Sequence, residues 1–152
     1  MNEVVVMFAL KLMFVKEVHE NDAGAAIVFD GRVQGRLTGQ KNPNYADYLQ
    51  YARQSLRDRS PVAVAFDQTD HIVTMYPGLQ GIVDRFAEYD AKRLRIGFTN
   101  LASYYYLGKD HPDFHRIHAV LEHSLNNHSW VWLSAERQRL ADVVPLARDG
   151  KQ

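Results

Sequence analysis

Five of the seven histidines in this 152-residue chain lie close together: His111, His115, His118, His123 and His128. On a helix opening near Pro112, side chains three and four positions apart are neighbours. His115, His118 and Glu122 therefore share a stripe, and His111 just before the helix can bend toward them. Two or three imidazoles with a carboxylate suit zinc or another borderline divalent ion, with a coordination position left open for water. That chemistry would make the chain a small metal-dependent enzyme or metal sensor. Proton sensing is a softer variant, because histidine is the side chain that titrates nearest neutrality. Against both, the i, i+3 spacing is weak and no HExxH motif occurs. A half-exposed helix also accommodates histidine as an ordinary solvated or hydrogen-bonded side chain. The first expectation is therefore no resident cofactor, with a divalent metal as the alternative.

Aromatic residues supply the second candidate chemistry. Trp130 and Trp132 alternate with Val131 and Leu133, so they occupy the opposite face of a strand. Tyr104, Tyr105 and Tyr106 stand nearby in sequence. Dense aromatics without a catalytic signature read as a ligand or interface surface on a non-enzymatic binding or assembly module. No residue is assigned a catalytic role. Self-association or a protein partner is expected; stacking on nucleic acid is disfavoured. Lys plus Arg and Asp plus Glu number 18 each, whereas a polyanion binder usually carries a basic excess.

Other motifs are negative. No GxGxxG or P-loop occurs, and Gly78-Leu79-Gln80-Gly81 reads as a turn. Asp67 and Asp70 flank a hairpin turn rather than form a catalytic pair. The absence of cysteine excludes disulfides, thiolate metal sites and a Cys nucleophile, and suits a reducing cytoplasm. The apolar stretch Met1–Val15 carries Glu3 and Lys11 and is too short to span a bilayer, so it reads as a buried strand. The expected location is cytoplasmic, with no membrane partner.

The elements that must position these residues come in two similar series. Apolar alternation predicts strands from about Val4 to Val18, Ala25 to Phe29 and Arg32 to Leu37, with a tight primed turn at Asp30-Gly31. Pro43 opens a helix whose inward stripe is Tyr45, Tyr48, Leu49, Ala52 and Leu56. Strands follow at Val62–Phe66 and His71–Tyr76. In the second series, strands are expected at Leu94–Phe98 and Ser103–Leu107, with Asn100 taking the left-handed position of Gly31. Pro112 opens a helix with Phe114, Ile117, Leu121 and Leu125 inward. The last hairpin starts at Val131 and Leu133 and closes with Leu140–Leu146. For Gly81–Glu88 periodicity allows strand or short helix, and the series argues for strand.

Shifting the chain by 69 residues brings Gly39 onto Gly108, Pro43 onto Pro112, Ser55 onto Ser124, Leu56 onto Leu125, Ser60 onto Ser129 and Val62 onto Val131. A fixed offset of this kind implies one supersecondary unit written twice. The expected fold class is α+β: mostly antiparallel hairpins with two main helices, internal duplication and a pseudo-two-fold axis. Residues 1–147 would form one globular domain of two halves, about 12–77 and 81–146, followed by a flexible tail at 148–152. The first copy carries Asn42, Ala46, Leu49 and Arg53 at the positions of His111, His115, His118 and Glu122, so the architecture itself does not call for histidine there.

Overall fold

Alternating apolar residues from Lys11 onward form a long strand, β1 (Lys11–Asn21), in the computed structural model, which describes residues 10–40 and 42–146. The expectations for Val4–Ala9 and for the tail at 148–152 lie outside the described residues. Among the described residues there are ten strands and two helices, an α+β fold in which nearly all strand pairs are antiparallel. The chain divides into two compact units, Met1–Gly78 and Leu79–Gln152.

In the first unit β1 is followed by β2 (Gly24–Phe29), β3 (Val33–Leu37), helix α1 (Tyr45–Asp58), β4 (Pro61–Phe66) and β5 (Ile72–Pro77). The sheet order is β3-β2-β1-β4-β5, and one parallel bridge between Arg36 and His71 ties its two edges. The second unit runs β6 (Leu79–Glu88), β7 (Arg93–Phe98), β8 (Tyr105–Gly108), α2 (Phe114–Asn127), β9 (Trp130–Glu136) and β10 (Arg139–Pro145). Its strands close as a barrel in which β10 meets β8 through the parallel pair Arg139 and Tyr106. Gly81–Glu88 is thus strand, not helix.

Each unit's first strand changes partners midway. Lys11–Phe14 pairs with β4, and from Val15 on β1 pairs with β2, with a register shift between Val15 and Glu17. In β6, Leu79–Ile82 pairs with β9 and the remainder with β7, with a shift between Val83 and Arg85. A strand that hands over at a bulge leaves a buried amide in need of an acceptor. The helix supplies it. Val15 N–H donates to Ser55 Oγ at 3.2 Å and Val83 N–H to Ser124 Oγ at 3.0 Å. Each hydroxyl then donates onward, Ser55 to the Ser60 carbonyl at 2.5 Å and Ser124 to that of Ser129 at 2.6 Å. Both serines are almost fully buried, at 2% and 0% exposure.

This bracing sets the rotation of α1 and corrects its predicted stripe. Ala52 and Ser55 point into the core, whereas Leu56 is 44% exposed. In α2 the inward residues are Ile117, Leu121 and Ser124, with Phe114 and Leu125 half-buried against them. Around α1 the core includes Ile27, Phe29, Leu37, Val62, Val64 and Ile72. Around α2 it includes Ile96, Phe98, Leu107, Val131, Leu133 and Leu140.

Three turns differ from expectation. Gly78-Leu79-Gln80-Gly81 is not a turn, since Leu79, Gln80 and Gly81 already pair with β9 as the start of β6. Asp30–Arg32 is a three-residue 3₁₀ turn rather than a two-residue primed turn, with Gly31 in the left-handed region at φ 83° and ψ 9°. Asn100 is not left-handed. The second-unit loop is longer, with β8 starting only at Tyr105. Asn100 instead uses its side chain there, donating from Nδ2 to the Gln80 carbonyl at 2.8 Å.

Removing either serine hydroxyl strands a buried amide, an effect of about 1–3 kcal/mol. Ser55→Ala and Ser124→Ala should each lower stability by that amount in urea unfolding. Leu56→Ala, despite matching a leucine in the other series, should stay within about 0.5 kcal/mol of wild type.

Candidate functional site

The histidine stretch does not assemble into a ligand cluster. His111 is 4% exposed and both ring nitrogens are engaged. Its Nδ1 accepts from the Asp113 N–H at 2.9 Å, and its Nε2 lies 2.8 Å from the Ala141 carbonyl oxygen. A carbonyl only accepts, so Nε2 carries the proton and the ring bridges the start of α2 to β10. The first unit reaches the corresponding carbonyl with another side chain, while taking its second bond from a different amide. Asn42, 3% exposed, donates from Nδ2 to the Ile72 carbonyl at 2.8 Å and accepts the Thr38 N–H at 3.1 Å. Ile72 and Ala141 stand 69 residues apart, as do Asn42 and His111.

His118 packs its ring against Phe86, centroids 4.9 Å apart, and against Phe114 at 5.6 Å. His115 and Glu122 are exposed, and His115 meets the edge of Phe114 at 5.4 Å. Among the described residues no group of three or more His, Cys, Asp or Glu side chains is arranged to hold a metal ion.

The aromatic residues separate by strand alternation. Trp132 is 8% exposed and Trp130 is half-buried, so the tryptophans do not form an open surface. Tyr105 turns inward and meets Phe98 edge-on, with ring centroids 5.6 Å apart. Its neighbours Tyr104 and Tyr106 lie on the outer face of the second unit, where the sheet register brings arginines to them.

Across β6, β7, β8 and β10 the outward row is Ala87, Arg95, Tyr106 and Arg139. The next row holds Tyr89 and Arg93, joined by the Tyr89 N–H to Arg93 carbonyl bond of 3.0 Å. Directly opposed residues on one face of a sheet are the pairs that interact. Here Arg95 lies over Tyr104, 4.5 Å from its centroid, and 5.6 Å from that of Tyr89. Arg93 lies 4.9 Å from Tyr89 and 5.4 Å from Tyr106, and the two tyrosine rings meet at 5.0 Å. Each such cation–π contact at an exposed site contributes on the order of 0.5–1 kcal/mol. Together they form a lattice of alternating guanidinium and phenol groups.

Small residues make room for it. A Cβ on Gly97 would stand 3.1 Å from Tyr104 Cε1 and 3.3 Å from Arg85 Cβ. Beside this lies an open pocket of about 280 Å³ lined by Asp84, Arg85, Gly97, Thr99, Ser103 and Tyr104 among others. The Arg85 guanidinium reaches the Tyr104 hydroxyl at 3.5 Å.

Asp90 is the acidic anchor of the lattice. It accepts from Arg93 Nη2 at 2.8 Å and Nε at 3.2 Å, and from the Lys92 and Arg93 amides. The Arg93 side chain, then the Lys92 amide, hold the Asp90 carboxyl below its ordinary 3.8, and Asp90 in turn raises Arg93. Among the described residues no carboxylate pairs with Arg85 or Arg95.

Sequence reasoning missed Tyr89, Arg93 and Arg95. The available signal was the alternation Arg93-Leu94-Arg95-Ile96 running into the strand expected at Leu94–Phe98, which places both arginines on one face once the strand begins at Arg93. No family model, curated protein or solved structure matches this chain.

Two outcomes follow. His111→Ala should cost about 1–3 kcal/mol by orphaning the Ala141 carbonyl and the Asp113 amide. His111→Asn should recover in chemical denaturation the part of that loss due to the Ala141 carbonyl, since Asn42 satisfies the corresponding carbonyl of Ile72. For Asp90, a depressed folded value means its stabilisation is complete above the unfolded range and disappears as pH falls through the folded value. Carboxyl-detected NMR should place its midpoint below 3.8, and Arg93→Gln should move it upward.

Proposed function

We propose that the chain is a non-enzymatic binding module whose contact surface is the arginine–tyrosine lattice on the outer face of β6, β7 and β8. The observation that carries this reading is Arg95, stacked on Tyr104 and Tyr89 and free of any carboxylate among the described residues. Tyrosine and arginine dominate protein interfaces because each combines large contact area with directional hydrogen bonding. Stacking also holds these long side chains before a partner arrives, which lowers the ordering cost of association.

The comparison between units supports a functional rather than architectural origin. The first-unit register sets Gly24, Ala26 and Arg36 in the places of Arg93, Arg95 and Tyr106. That unit folds with the same strand order without the lattice. We further infer that the units are copies of one β-β-β-α-β-β element. Supporting this are the 69-residue offset between two 14-residue helices, the paired serine braces and the Asn42 and His111 bridges.

The partner is a protein, either another chain or a second copy of this one. Photo-crosslinking tests this with benzoyl-phenylalanine placed at Tyr106 and, as control, at Gln50 on α1. A discrete adduct from position 106 in cells, absent from position 50, is the expected result. Its mass separates a homodimer from a heterotypic complex. No adduct at 106 under conditions that label abundant partners of other proteins would remove the reading.

A further inference from the structure

We infer that the lattice, read as a binding surface in the preceding subsection, receives an extended acidic segment of a different protein, with carboxylates at alternate positions. The charge on this face is locally unbalanced. Arg85, Arg93, Arg95 and Arg139 are all exposed on neighbouring strands, while the chain as a whole is neutral. Of these only Arg93 is paired with a carboxylate among the described residues, that of Asp90 at 2.8 Å. Of the other acids nearby, Asp84 lies 3.4 Å from the Thr99 hydroxyl and Glu88 pairs with Lys109 at 3.0 Å. Glu136 stands opposite Arg139 in the sheet register, without an ion pair to it among the described residues. Unpaired guanidinium groups on a surface favour anionic partners, and their fork of N–H donors matches a carboxylate.

Spacing selects the form of the ligand. Arg93 and Arg95 are two residues apart on one strand, so their Cα atoms stand about 6.8 Å apart on the same face. An extended peptide repeats its side chains at the same interval, so acids at i and i+2 meet successive arginines. Arg139 beyond Tyr106 extends the row across the sheet. Nucleic acid fits less well. Tyr104 and Tyr89 already have guanidinium groups over their rings, so a stacking base would first have to displace an arginine. A carboxylate needs only the outward N–H edges.

The donor of this segment is another chain. Within this sequence, acids two residues apart occur only as the isolated pairs Glu20/Asp22 and Glu88/Asp90, and the second of these borders the lattice itself.

The test uses the full-length, ¹⁵N-labelled protein and three probes at low salt: a capped peptide of alternating Glu and Ala, its Gln–Ala counterpart, and an oligothymidylate. The Glu–Ala peptide should shift the amides of Arg93, Arg95, Tyr104 and Tyr106 and the Arg95 side-chain Nε. It should bind at least about tenfold more tightly than the Gln–Ala peptide, a difference of about 1.4 kcal/mol. Its affinity should fall as salt rises. Arg95→Gln should remove that preference, and Arg57→Gln on α1 should not.

Equal response to the two peptides, preference for oligothymidylate, or full binding by Arg95→Gln would overturn the acidic-segment inference. An uncharged peptide that shifts the same residues with equal affinity would do so while leaving the binding surface intact. Loss of the Tyr106 adduct described above would remove the surface as well.

Discussion

A serine hydroxyl near the end of each helix supports the architecture of its unit. In both units the first strand must bend and change neighbours, so one of its buried amides leaves the ladder. Ser55 and Ser124 accept that amide and pass their own proton to the chain just beyond the helix. One side chain thereby ties three segments: the bend of the central strand, the helix, and the start of the next strand. The left-handed residues Arg59 and His128 that end the helices turn the chain so that Ser60 and Ser129 can present their carbonyls. Without such an acceptor the buried amide would be unsatisfied, a cost comparable to a large share of ordinary domain stability.

With the helix rotation set in this way, the two units diverge where packing leaves them free. The donor from before the helix to the last strand is an asparagine in one and a histidine in the other. Each also accepts a nearby amide, that of Thr38 for Asn42 and that of Asp113 for His111. Arg116 and Asp142 add a charged link in the second unit at 2.5 Å, with Asp142 3% exposed. The corresponding sequence positions of the first unit hold Asp47 and exposed Val73. The outer strand faces diverge most. Gly24 and Ala26 of β2 give way to Arg93 and Arg95 of β7, Arg36 of β3 to Tyr106 of β8, and Gly97 keeps the space over which Tyr104 lies.

A surface of stacked arginine and tyrosine is well suited to recognition because its components restrain one another. The guanidinium groups gain from the rings without losing their in-plane donors, so they remain able to meet an anion. Asp90 limits this freedom at one end by holding Arg93, while Arg85 and Arg95 have no carboxylate among the described residues. The face thus combines a fixed edge with a charged middle.

Local pattern was enough to read most elements, the α+β class and the two parallel series of strands and helix, because side-chain alternation and the prolines at helix starts act within a few residues. It marked the tyrosine triplet as a unit, whereas strand alternation divides it: Tyr105 packs inward on Phe98, and Tyr104 and Tyr106 meet arginines on the outer face. It was not enough for the helix rotation: Leu56 has the right spacing for the core, yet a buried hydrogen bond turned Ser55 inward instead. Nor could it separate His111 from its neighbours, since the two groups that occupy its ring include Ala141, thirty residues away. Hydrophobic periodicity is encoded along the chain and survives in a string of letters. Which arginine lies over which tyrosine depends on strand register, and register exists only once the strands have paired.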